Sequence, residues 1–191
     1  MGKMKRLIIV VIAIIIVLIL VLPISLWFLV FEKPIKASPD ELILTADDLP
    51  GWEPNATNIG LFPWSYSGTP PSPVAETSRP FTNSSNGFGL VIAVKSFKSS
   101  WEAHELFAAM HGTDNRSIEN VNEASTNNFT FFEPNPTFYW YCTTRIANVI
   151  VFVDFDLYST NGTIIHSQNY GWMDQIISAQ IQKIQQFNTH F

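Results

Sequence analysis

A single cysteine in 191 residues excludes an intramolecular disulfide, so any fold here stands on its apolar core alone. There is no glycine-rich phosphate loop, no nucleophile elbow and no zinc-ligand spacing, so the familiar enzyme signatures are absent. Histidine is scarce, at four residues. His104 and His111 lie seven apart on one predicted helix, roughly 10 Å along its axis, too far to share a metal ion. His166 and His190 have no evident partner, so no metal, no cofactor and no catalytic residue is expected. Acidic residues are missing before Glu32, and charge of either sign is missing from Leu7 to Phe31.

That uncharged run, "LIIVVIAIIIVLILVLPISLWFLVF", is the dominant feature of the N-terminal part. As a helix it would reach roughly 37 Å, more than the ~30 Å of a bilayer's hydrocarbon core. Tilt or a kink at Pro23 would absorb the excess. The run is too long for a cleaved signal peptide, and "EKPIKASPDE" offers no small-x-small site. A lipoprotein cysteine is absent, and Arg6 breaks the myristoylation pattern. The expectation is a signal anchor over residues 7–31. Lys3, Lys5 and Arg6 form a cytoplasmic stub at 1–6, residues 32–40 a tether, and 41–191 an extracytoplasmic domain. Beyond the span stand sixteen acidic against eight basic residues, a formal charge of −8. That sign disfavours nucleic acid.

N-x-S/T occurs at Asn55, Asn83, Asn115, Asn128 and Asn161. Each is a candidate N-glycosylation acceptor, and all fall on the expected outer side. The segment "LFPWSY" gathers Phe62, Trp64 and Tyr66 among prolines, where aromatics suit a cleft or a partner surface. These three are the candidate ligand or partner residues, within a loop expected over 55–73.

Along the domain, Thr45 is expected to cap one helical turn ended by Pro50-Gly51, with Leu42, Leu44, Leu49 and Trp52 as its anchors. "VAETSRPFT" and "FGLVIAVKSF" read as two strands around "NSSNG". Pro80 confines the first to an edge or bulge, and the second reads as central. Ser99 with Glu102 forms a capping box for a helix whose buried stripe is Ala103, Leu106, Phe107 and Met110. A short strand is expected near Ser117 to Val121, and another from Phe129. In the last element Met173, Ile176, Ile177, Gln180, Ile181, Ile184 and Phe187 recur at helical spacing, which packing on the domain's own sheet would explain.

"TFYWYCTTRIANVIVFVDFDLY", residues 137–158, reads as a hairpin. One parity holds Phe138, Trp140 and Cys142, which puts the thiol on the apolar side, unreactive by its setting. Asp154 and Asp156 share a strand face but supply too few ligands for a hard cation. The turn is open between a three-residue loop, with Asn148 left-handed, and two- or four-residue loops that match polar parity with polar parity. Ile-Ala is poor chemistry for a two-residue turn, which favours the four-residue version. The element order implies an α+β fold, an antiparallel sheet with two main helices on one face.

"LTADDLPGW", then "F-x-S-x-W-E-A" opening a helix, "RIANVIVFV" and a terminal helix rich in Gln and Ile resemble small extracytoplasmic sensor-like α+β domains. These are ectodomains of bacterial membrane kinases, related surface lipoproteins and anchored archaeal proteins. The resemblance spans about Leu42 to Phe187 and implies a membrane-held domain that binds a ligand or partner. It brings over no functional residue, and the paired cysteines of several such domains are missing here. The expectation is a non-enzymatic binding domain in the cell membrane. A structural accessory subunit of a membrane or envelope complex is the alternative.

Overall fold

The computed structural model describes residues 10–19, 32–55, 70–85, 88–110, 118, 121–131, 137–158 and 171–188. The chain forms two compact units, one within Met1–Lys33 and the other within Pro34–Thr189. In the first, residues 10–19 form a helix, α1, whose apolar side chains are exposed. Ten residues rise about 15 Å, half a bilayer core. Among the described residues no helix is long and apolar enough to cross a membrane.

The second unit runs α2 (Pro39–Leu42), a 3-10 turn (Ala46–Asp48), β1 (Trp52–Pro54), β2 (Ala75–Asn83), β3 (Gly89–Ser96) and α3 (Ser100–Met110). It continues with β4 (Glu123–Phe131), β5 (Thr137–Ile146), β6 (Val149–Tyr158) and α4 (Gly171–Gln185). The six strands form one sheet in the order β1-β2-β3-β6-β5-β4, antiparallel throughout. The expected α+β class is what the chain adopts. β3 lies inside the sheet, as its apolar run demands. Pro80 fits where β1 stops: its carbonyl accepts the Asn55 N–H at 3.0 Å, so the nitrogen lacking a proton faces that same outer side.

The helices do not share a face. α4 packs Met173, Ile176, Ile177, Ile181 and Ile184 against Leu90, Ile92, Val94, Val149, Val151, Val153 and Phe155. α3 packs Ala103, Leu106 and Phe107 against Ala93, Ile150 and Phe152, the opposite parity. The cause is in the strands. "VIAV" in β3 and "VIVFV" in β6 are apolar at both parities, so each face needs a cover. Each fully buried Ile or Leu contributes about 1.5–3 kcal/mol, and a sheet face left open would forfeit several.

Part of the stretch expected as tether belongs to the core. Ile35 is buried, and Ser38 caps α2, its N–H and hydroxyl both donating to the Glu41 carboxylate at 2.8 Å. The anchors Leu42, Leu44, Leu49 and Trp52 are all buried. Gly51 ends the turn with φ +82°, a conformation glycine adopts freely. α4 grips this segment through Gln180, which has no exposed surface. Its Oε1 accepts the Leu44 N–H at 3.0 Å, and its Nε2 donates to the Leu42 carbonyl at 2.7 Å. Phe187 leaves the stripe: α4 ends at Gln185, and Phe187 is exposed beyond it.

In α3 the Ser99 hydroxyl accepts the Glu102 N–H at 3.2 Å. The Glu102 carboxylate reaches back to the Lys98 N–H at 3.0 Å, one residue earlier than a capping box uses. Of the short strand expected near Ser117–Val121, Ile118 and Val121 lie outside any strand, and residues 117, 119 and 120 lie outside the described residues. One nine-residue strand, β4, starts instead at Glu123 opposite Arg145. At the sheet's edge a polar stretch such as "EASTNN" is tolerated.

The hairpin turns through two residues, Ala147 and Asn148, with Ile146 opposite Val149. Both the preferred four-residue loop and a left-handed Asn148 are thereby corrected. Ala147 takes the positive φ, +50°. Tertiary hydrogen bonds impose this turn. Asn122 Oδ1 accepts the Ala147 N–H at 2.7 Å, and Arg145 Nη1 donates to the Ala147 carbonyl at 3.0 Å. Asn148 Nδ2 donates to the Phe97 carbonyl at 2.7 Å and the Ile35 carbonyl at 3.3 Å, while its Oδ1 accepts the Ile35 N–H at 2.6 Å. Polar parity still meets polar parity, with Tyr141 opposite Asp154.

Candidate binding groove

Phe62, Trp64 and Tyr66 lie outside the described residues, as do Asn115 and Asn161. The other three sequon asparagines are placed. Asn55 follows β1, and its Nδ2 donates to Thr82 Oγ1 at 2.6 Å. Asn83 closes β2 opposite Trp52, its Oδ1 accepting the Ser85 N–H at 2.9 Å. Asn128 sits mid-strand in β4 opposite Trp140.

Cys142 is buried in the α4-side core, as its parity predicts. Asp154 is buried on the opposite parity, across from Val91 and Tyr141. On that α3 side a charged cluster forms that sequence spacing did not reveal. His104 Nδ1 lies 2.7 Å from Glu123 Oε1, and Arg145 Nε pairs with the other oxygen of Glu123. Arg145 is only 3% exposed in its side chain, so Glu123 compensates a cation held out of water. Trp101 lies beside His104 with ring centroids 5.6 Å apart. Among the described residues no group of three His, Cys, Asp or Glu is placed to hold a metal ion.

A concavity among the described residues lies on the other side, where α4 begins. Phe88, Phe155 and Trp172 form an aromatic stack under it. Trp172 lies parallel to Phe88 at 6.0 Å, edge-on to Phe155 at 5.2 Å and tilted to Trp52 at 5.8 Å. Trp140 extends the stack through Phe155 at 5.6 Å. Such pairs add about 0.5–1.5 kcal/mol each beyond area burial, so the floor is stiff. Above it opens a groove of about 470 Å³ lined by Asp48, Leu49, Trp52, Asn83, Trp172 and Gln175, among others. Its volume falls in the range of small-molecule sites.

Among the described lining residues the carboxylate is Asp48, and it is paired. Lys183 Nζ lies 2.6 Å from Asp48 Oδ2, which also accepts the Thr45 N–H and hydroxyl. The hydrogen bond from Lys183 holds the Asp48 carboxyl below the usual carboxylate range, against the opposing effect of burial. With its charge balanced, the groove offers indole surface and two carboxamides. A second concavity of about 450 Å³ lies between Thr45, Ala46, Asn55, Arg79 and Pro80. Among the described residues its aromatic lining is Phe81.

The groove was hard to foresee. Trp52 reads as an anchor and Trp172 as a helix residue, and nothing local brings together residues 120 positions apart. The only hint is the pair of tryptophans at the edges of two elements. No protein-family model matches the chain, and no curated protein or solved structure does so either. The likeness to sensor-like ectodomains therefore rests on motif order alone.

Proposed function

We propose that this chain is a membrane-anchored binding domain, held by residues 7–31, with its N-terminus in the cytoplasm and residues 41–191 outside. It takes a small molecule or a partner protein in the groove above Trp52 and Trp172 and catalyses no reaction. The observation that carries this reading is the groove itself, a stiff aromatic floor under a rim of carboxamides and one neutralised carboxylate. The uncharged run from Leu7 to Phe31 and the −8 charge beyond it support the anchor and its orientation.

Two measurements test the reading. Protease added to intact cells is expected to digest the chain beyond about Glu32; full protection refutes the topology. A photo-crosslinking residue at Gln175, on the groove, is expected to capture a ligand or partner in native membranes. The same residue at Glu105, exposed on α3, is expected to capture none. Equal capture at both positions, or at neither, sinks the groove as the binding site.

A further inference from the structure

We propose that Asn83 is an N-glycosylation acceptor and that its glycan stands over the groove, so that modification restricts what enters. The inference rests on the extracytoplasmic reading of the domain. Three sequons can be compared in the fold, and they differ in where the acceptor residue stands. Asn55 Nδ2 is committed to Thr82 Oγ1 at 2.6 Å. Asn128 lies within β4, opposite Trp140 in the middle of a paired strand. Asn83 ends its strand and is followed by exposed Ser84 and Ser85. Its Oδ1 is engaged by the Ser85 N–H, while its Nδ2 donates to no described residue.

That nitrogen also has somewhere to send a sugar. Phe81, two residues earlier on the same strand face, is in the α4-side core. Asn83 therefore projects on the α4 side, and it lines the groove with Trp52 and Trp172. The donor is a lipid-linked sugar phosphate. A bond forms between Nδ2 and the anomeric carbon as the bond from that carbon to the phosphate oxygen breaks. The electron pair leaves with the phosphate, and the transferase's base takes the Nδ2 proton. The attached sugar is neutral and rich in hydroxyls, which suits a groove with indole surface and the Gln175 carboxamide.

The test uses the full chain purified from its native membranes. Peptide mass spectrometry is expected to find a glycan on Asn83 and none on Asn55. Ser85→Ala, which keeps the backbone N–H that bonds Asn83, is expected to abolish it, and Ser85→Thr to retain it. Acrylamide is expected to quench tryptophan emission more strongly in S85A than in S85T. A bare Asn83 on chains that external protease digests overturns the inference while leaving the topology standing. A bare Asn83 on protected chains overturns both. A glycan at Asn83 with equal quenching in the two variants overturns its placement over the groove.

Discussion

Asn148→Asp tests how the central hairpin is held. The two side chains have the same shape, so no cavity opens and only hydrogen-bond chemistry and charge change. Asn148 is 3% exposed. Its Oδ1 continues to have the Ile35 N–H available at 2.6 Å. The second oxygen of the new carboxylate replaces a donor, and it then faces the carbonyls of Phe97 and Ile35. Each buried group left unsatisfied costs about 1–3 kcal/mol, so the two together cost about 2–6 kcal/mol before the buried charge is counted. Against a total stability of about 5–15 kcal/mol, a large part of the folded population is at risk. The sign with pH follows. Burial beside two carbonyls raises the folded pKa of the new carboxyl above its unfolded value of about 3.9. The protonated acid can donate to Phe97. The deficit relative to the parent is therefore smallest at low pH and grows as pH rises through the folded pKa. Urea midpoints of parent and variant in the same detergent, between about pH 4 and about pH 7, measure it. A variant within about 0.5 kcal/mol of the parent at neutral pH, or a deficit that widens on acidification, refutes the reasoning.

Three further outcomes are expected. Asp48→Asn removes a carboxyl whose folded pKa is lowered, so the stability it supplies is present above the ordinary Asp range and lost as pH falls through the folded value. With Asp48 more than a third exposed in its side chain, the effect stays within about 1 kcal/mol, and acid titration of unfolding in the variant should show a shallower slope. Glu123→Gln leaves buried Arg145 without its carboxylate and is expected to cost about 3 kcal/mol of stability, read as a lower urea midpoint; an unchanged midpoint would mean that the pair contributes nothing. A thiol reagent is expected to label Cys142 slowly in the native chain and rapidly in urea, and fast native labelling would contradict its burial.

The hairpin shows where sequence reading stops. Parity put Cys142 with Trp140 and paired polar faces across the turn, because alternation is a local property of each strand. It could not choose among two-, three- and four-residue turns. That choice belongs to Asn122, Arg145 and Asn148, whose partners at Phe97 and Ile35 lie 51 and 113 residues away. The groove was illegible for the same reason, since Trp52 and Trp172 meet only when α4 docks on the strands beside β1. The Glu123–Arg145 pair needed the register of β4 against β5.

By itself the sequence determined the α+β class, strands β2, β3, β5 and β6, the capped starts of α3 and the 3-10 turn, and the burial of Cys142. Each follows from short-range periodicity and capping chemistry. Only the tertiary structure decided that the helices cover opposite faces, that Ile35 is core and that Ala147 turns the hairpin. It alone also set Asn83 beside two tryptophans. Those are questions of which surfaces meet, and burial of the doubly apolar strands β3 and β6 answers them through contacts between residues far apart in the chain.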